Sequence, residues 1–212
     1  MKLLIAIPNY DAMRPEFVRS LIELTEQLRA DRVQYEIKII TGTLVHIARD
    51  RLAQHGVNNG FDEVLFVDDD MVFDRYLYED LKMCGKDIVC GWFISRHDPY
   101  VSCLFKNLDP VERKTDVTPD EAFRVKACGF GAVLVKAQAL KDVMLNNGGQ
   151  CFIPTPKLGE DVAFCQRAEA LGYEIWCEPT ARVGHVGTIV IWPEDGDRLR
   201  GNIQGLEGKK LD

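Results

Sequence analysis

The sequence predicts one α/β domain, a three-layer α/β/α arrangement around a mostly parallel central sheet. Three observations predict it. Short apolar runs of strand length alternate with segments of helical periodicity along most of the chain. At 212 residues, 46% hydrophobic and 28% charged, the chain is long enough for one well-buried core and too short for two comfortable ones. Finally, the apolar run Val64-Leu65-Phe66-Val67 stops at the acidic triplet Asp68-Asp69-Asp70, as a buried strand does where it opens onto a cleft. The domain is expected to span residues 1–192, with 193–212 as a polar, glycine-rich tail or lid.

Residues 2–7 form the first apolar run, which ends at Pro8. Phe17, Leu21, Leu24 and Leu28 then recur at three- and four-residue spacing, predicting a helix over 16–28, and the β-rich stretch 35–40 completes a βαβ unit. Residues 45–55, with Ile47 and Leu52 inward, predict a second helix that ends in the turn Asn58-Asn59-Gly60 before the strand 64–67. A short helix follows at Leu77 and Leu81, then strands at 87–93 and 132–135 and a helix at 140–145. A helix after Gly159 carries Phe164, Ala168 and Leu171 on one face and closes at Gly172, and residues 173–177 predict the last strand. Residues 100–123, polar and weakly periodic with Pro110 and Pro119, are expected to wander over one face.

Composition narrows the function classes. A net charge of -7 argues against a nucleic-acid or anionic-lipid partner, and no apolar stretch nears the roughly 20 residues that span a bilayer. Seven cysteines, odd in number and without a C-x-x-C pair, fit a reducing cytoplasm; Cys90, Cys128 and Cys165 sit among apolar neighbours like small core residues.

In an extended strand Asp68 and Asp70 would project together and Asp69 the other way. Two carboxylates held that close repel unless a cation or proton intervenes, and hard divalent ions such as Mg²⁺ or Mn²⁺ favour such ligands. A turn leading into the next helix explains the same residues without a metal. The second acidic group, Glu160-Asp161 after Gly159, lies where acids complement a helix macrodipole as well as where a catalytic base could stand. A third feature is His185 near a strand end; neutral imidazole joins carboxylates around Mn²⁺ but is equally common as a structural residue.

Four segments together resemble the family 2-like glycosyltransferases with the GT-A fold, which is Rossmann-like. They are Ile5-Ala6-Ile7-Pro8-Asn9-Tyr10, Leu65-Phe66-Val67-Asp68-Asp69-Asp70 with its D-x-D pattern, Gly129-Phe130-Gly131-Ala132-Val133-Leu134, and Gly159-Glu160-Asp161 through Gly172-Tyr173 to His185. The resemblance implies a transferase that moves a sugar from a nucleotide-sugar donor, a UDP- or GDP-sugar, to an acceptor hydroxyl. It implies that Asp70 and His185, with Asp68 beside them, hold a divalent metal (Mn²⁺ or Mg²⁺), and that Asp161, flanked by Glu160, is the general base. Pro8, Asn9, Tyr10, Asp68 and Asp69 would line the nucleotide, and Arg49 would reach the diphosphate with its fork of donors. Inversion by single displacement is expected, because one base opposite the leaving group suffices. Trp92 and Phe130 are candidates for packing on a sugar face or for the core.

One departure stands out: where many relatives carry an acidic pair and Gly-Ser after the second strand, this chain has Ile39-Ile40-Thr41-Gly42-Thr43, so the base is open. Two other readings stay open. A nucleotidyltransferase would show a glycine- and lysine- or arginine-rich loop after the first strand, which Pro8-Asn9-Tyr10-Asp11 is not. A non-catalytic nucleotide-sugar-binding protein would keep the cleft without turnover.

Overall fold

The computed structural model describes residues 1–96, 100–114, 121–187 and 190–191. In chain order the elements are β1 (Lys2–Asn9), α1 (Pro15–Ala30), β2 (Gln34–Thr41), α2 (Val45–Asn58), β3 (Glu63–Val67), β4 (Met71–Phe73), α3 (Leu77–Met83), β5 (Ile88–Trp92), β6 (Leu104–Leu108), β7 (Val111–Arg113), β8 (Phe123–Val125), β9 (Ala127–Cys128), β10 (Ala132–Lys136), α4 (Ala137–Asn146), α5 (Glu160–Ala170), β11 (Ile175–Val186) and β12 (Val190–Ile191). The expected tail, 193–212, lies outside the described residues.

The main sheet runs in the order β12-β11-β5-β10-β3-β1-β2. β1 pairs in parallel with β2 and β3, and β5 with β11, while β10 runs antiparallel between β3 and β5. The sheet is thus mixed α/β and mostly parallel in strand direction, and β10, expected from alternation to join in parallel, is inverted. The reversal is a tertiary feature: β10 returns between β3 and β5, and the chain between β5 and β10 carries strands but no helix among the described residues.

Side-chain alternation sorts the core into two clusters. Leu4, Ala6, Val64, Phe66, Val133 and Val135 pack with Leu52 of α2, Leu140 of α4 and Phe164 of α5. The intervening residues Leu3, Ile5, Leu65, Val67 and Leu134 pack with Phe17 and Leu24 of α1 and Leu77 of α3. Each strand of these sets is apolar on both faces, which is why it reads as a continuous apolar run and not as an alternation.

Two segments differ from the sequence expectation. The described part of the segment 100–123 is not a bare excursion: β6 and β7 pair as an antiparallel hairpin and β9 joins them in a separate three-stranded sheet. The last long strand does not end at Cys177 but continues through Pro179 to Val186, with an irregularity between Glu178 and Arg182 where it leaves β5 for β4. That continuation carries His185 to the cleft.

Candidate active site

The site lies at the carboxyl ends of β1 and β3, where ligands collect in open α/β sheets. Two adjoining hollows share Val45, Asp68 and Asp70. One, of about 320 Å³, is walled by Pro8, Asn9 and Tyr10 at the end of β1 and by Thr43, Leu44, Val45 and Ala48 at the start of α2. The other, of about 390 Å³, is walled by Phe93, Arg96, Cys103, the 129–131 segment, Glu160, Asp161 and His185.

The triplet is a turn and not a strand end. β3 stops at Val67, the Asp68 carbonyl accepts the Met71 N–H at 3.2 Å, and the Asp68 N–H donates to the Gly131 carbonyl at 3.0 Å. The turn sends the three carboxylates to three different partners. Asp69 accepts from Asn9 Nδ2 at 2.5 Å, and burial pushes its carboxyl up against that hydrogen bond. Asp68, expected near the metal, gives both oxygens to Arg49 Nη2 at 2.7 and 2.8 Å. Burial nevertheless outweighs Arg49 and raises the Asp68 carboxyl to about 6.

Asp70 faces His185, whose Nε2 lies 3.5 Å from its Oδ2, and accepts a hydrogen bond from Arg96. Burial would raise the Asp70 carboxyl, but His185 and then Arg96 hold it below its ordinary value. β11 positions the histidine: His185 is in register with Met71, and the Val186 N–H donates to the Asp70 carbonyl at 2.8 Å. The Ile94 carbonyl, 3.0 Å from Nδ1, accepts the hydrogen bond of that nitrogen and leaves Nε2 facing the carboxylate. An imidazole nitrogen and a carboxylate oxygen that face each other can share a proton or a divalent cation. The donor set, one hard oxygen and one imidazole nitrogen, fits a divalent ion that completes its shell with phosphate oxygens and water. Among the described residues no group of three or more His, Cys, Asp or Glu side chains forms a metal site by protein ligands alone.

Arg49 is not the solvated helix residue that its neighbour Asp50 suggests: it lines the second hollow from a buried position. Its side chain is 4% exposed, sits above the Phe130 ring and bridges Asp68 and Glu160, the latter at 2.6 Å. Asp50 instead accepts the backbone N–H groups of Cys151 and Phe152 at 2.6 and 2.8 Å. Glu160 is therefore spoken for by Arg49, whereas Asp161, one residue on in the first turn of α5, lines the cleft. Asp161 Oδ1 accepts the Val162 N–H at 2.7 Å, and burial, stronger than the opposing Arg49, raises its proton affinity.

Phe130 is core: it is 1% exposed and meets Phe66, Phe152 and Phe164 at ring separations of 5.5, 5.0 and 5.1 Å. Trp92 packs against the same cluster. The glycines around Phe130 permit close approach. A Cβ on Gly131 would lie 2.8 Å from Phe93 Cζ, and one on Gly129 3.0 Å from the same atom, and Phe93 is the ring that stands edge-on to His185.

The sequence did not single out Arg96, Phe93, Cys103 or the 43–45 turn. Arg96 follows a strand without any motif, and Phe93 and Cys103 read as ordinary apolar positions; only the spacing of Thr43 before a helix start could have marked that turn.

No family model matches the chain, and no curated protein matches it. A mutant of Drosophila β-1,4-galactosyltransferase 7, in complex with manganese, UDP-Gal and xylobiose, aligns at a TM-score of 0.48 and 15% identity over 100% of this chain and 80% of that chain. The crystal structure of A197 from STIV aligns at a TM-score of 0.62 and 19% identity over 92% of this chain and 91% of that chain. The chain therefore shares its fold with A197.

Proposed function

We propose that this chain is a metal-dependent glycosyltransferase of the GT-A type, three-layered over residues 1–192, that transfers a sugar from a nucleotide-sugar donor to an acceptor hydroxyl with inversion. One observation carries the proposal: Asp70, His185 and Asp161, from segments far apart in sequence, line one hollow that adjoins a second beside Pro8, Asn9 and Tyr10, with the acidic triplet on the wall between them. The free cysteines are compatible with a cytoplasmic setting.

In this reading the nucleoside occupies the hollow between Tyr10 and the 43–45 turn, with Asn9 and Asp69 fixing each other at its edge. The first turn of α2 lacks a side-chain cap, so its N–H groups and dipole favour the diphosphate there. Asp70 and His185 would hold a divalent ion, which offsets the charge of the departing diphosphate. Asp161, with one oxygen tied to the Val162 N–H, takes the acceptor proton as the hydroxyl oxygen bonds to the anomeric carbon and the bond to the diphosphate breaks. Arg49 holds Asp68 and Glu160 in place behind these groups.

The test is thermal stabilisation of the native chain and of Asp70→Ala by nucleoside diphosphates and nucleotide sugars, with and without Mn²⁺. A ligand at a hundredfold excess over Kd adds about 2.7 kcal/mol. A metal-dependent shift with one base, lost in Asp70→Ala, is expected. No shift with any nucleotide, or one indifferent to metal and to Asp70, overturns the proposal.

A further inference from the structure

Among the described residues β2 ends the main sheet, and its eight residues pair on one side only, with β1. Exposed sheet edges are normally blunted by proline, a bulge, a short strand or charged side chains, because unpaired N–H and C=O groups recruit another strand; on β2 the charges are Glu36 and Lys38, one of each sign. Residues 34–41 contain no proline, and the register with β1 runs without a break from Lys2↔Gln34 to Asn9↔Thr41.

The side chains on this edge are self-complementary. Tyr35, Ile37 and Ile39 lie on the face of Leu3, Ile5 and Ile7, and Ile37 and Ile39 remain 37% and 42% exposed there. On the same face α1 leaves Val18 and Ile22 exposed. Glu36 and Lys38 project from the opposite face, where Glu36 Oε1 meets His55 Nε2 at 2.8 Å. A second β2 related by a two-fold axis perpendicular to the sheet must pair antiparallel, with opposed residues on the same face. Centring the axis on Glu36 opposes Glu36 to itself, and centring it on Lys38 opposes Lys38 to itself. Centring on Ile37 sets each Glu36 against the partner's Lys38, Ile37 against its own copy and Tyr35 against Ile39. Opposite charges directly across a ladder stabilise it and like charges weaken it.

We propose that the chain forms a two-fold dimer through β2, in register about Ile37, joining the two central sheets into one. The cleft is untouched, since its walls come from the carboxyl ends of β1 and β3, the start of α2 and the far side of the sheet; the dimer is independent of the catalytic proposal.

The test is a charge-swap cycle read by light scattering coupled to size exclusion. The native chain should run at twice its 24.0 kDa mass. Lys38→Glu and Glu36→Lys each place like charges opposite at both ends of the ladder, and each should weaken dimerisation at least tenfold. The double variant Glu36→Lys with Lys38→Glu should restore the dimer, which also excludes misfolding as the cause of the single losses. A native monomer at high micromolar concentration, single variants that remain dimeric, or a double variant that stays monomeric overturns the proposal.

Discussion

Nε2 of His185 stands 3.5 Å from Oδ2 of Asp70, while Nδ1 of the same ring is engaged by the Ile94 carbonyl. The hydrogen bond to Ile94 orients the ring and leaves Nε2 facing Asp70, the arrangement that the proposed metal site requires. His185→Ala should therefore abolish Mn²⁺-dependent stabilisation by the donor nucleotide as fully as Asp70→Ala. Asp69→Asn, whose carboxylate turns to Asn9, should retain the metal dependence. Calorimetric titration of nucleotide with and without Mn²⁺ checks both, and retention of the metal effect in His185→Ala removes the histidine from the site.

Arg49 compensates two carboxylates at once. Arg49→Ala leaves Asp68 and Glu160, 24% and 19% exposed, without their cation, at a cost of about 3 kcal/mol, the lower end for a broken buried pair. For a domain of this size that lowers Tm by roughly 6–12 °C. Arg49→Lys should recover less than half, because one ammonium cannot make the paired contacts of the guanidinium. A melting curve for Arg49→Ala that overlays the native one would show that the bridge is not made in solution.

Asp161 and Glu160 are adjacent but should separate kinetically. Asp161→Asn is expected to lower kcat by about 10²–10⁴-fold with donor affinity preserved, as for loss of a general base. Glu160→Gln, which only loosens the grip on Arg49, should act mainly on stability. Because burial raises Asp161, the acid limb of kcat/KM should lie above the ordinary aspartate value of 3.8, with activity gained as pH rises through that limb. Turnover by Asp161→Asn at the native rate would assign the base elsewhere.

Far from the cleft, burial first and the Asp31 carboxylate next push Glu79 up to about 7 from 4.5. An acid whose folded pKa is raised contributes stability that is full below its unfolded value and is lost as pH rises through the folded one. Native Tm should therefore decline between about pH 4.5 and 7 relative to Glu79→Gln, and the two curves should run parallel above pH 8. A constant difference across that range would show that Glu79 titrates normally.

Gly131 sits where β10 begins, and its carbonyl holds the Asp68 N–H. A Cβ there collides with Phe93 and the end of Met71, so Gly131→Ala should destabilise by about 1–3 kcal/mol, the usual cost of overpacking. Because the Met71 side chain is flexible, adding Met71→Ala should return part of that loss. Denaturant unfolding of the three variants decides it; a neutral Gly131→Ala would mean that the segment relaxes freely.

What the sequence determined by itself was local. The periodicity of 16–28 and 45–55 appears as α1 and α2, and the apolar runs 2–7, 64–67 and 87–93 fall on β1, β3 and β5, because residues three, four or two apart report their own backbone geometry. Asp70 was marked by the end of an apolar run and Asp161 by Gly159 before a helix, while His185 was singled out with them only through the family resemblance. Tertiary structure alone decided the rest. β10 reads as any buried strand, and only its neighbours β3 and β5 fix its reversed direction. Arg49 reads as a helix-surface cation beside Asp50, yet the packing of α5 against the 129–131 segment buries it between Asp68 and Glu160. Arg96 carries no motif and meets Asp70 only through the chain's return after β5. Pairings across many tens of residues depend on which faces are buried together, and a burial shared by distant segments leaves no periodic trace in either of them.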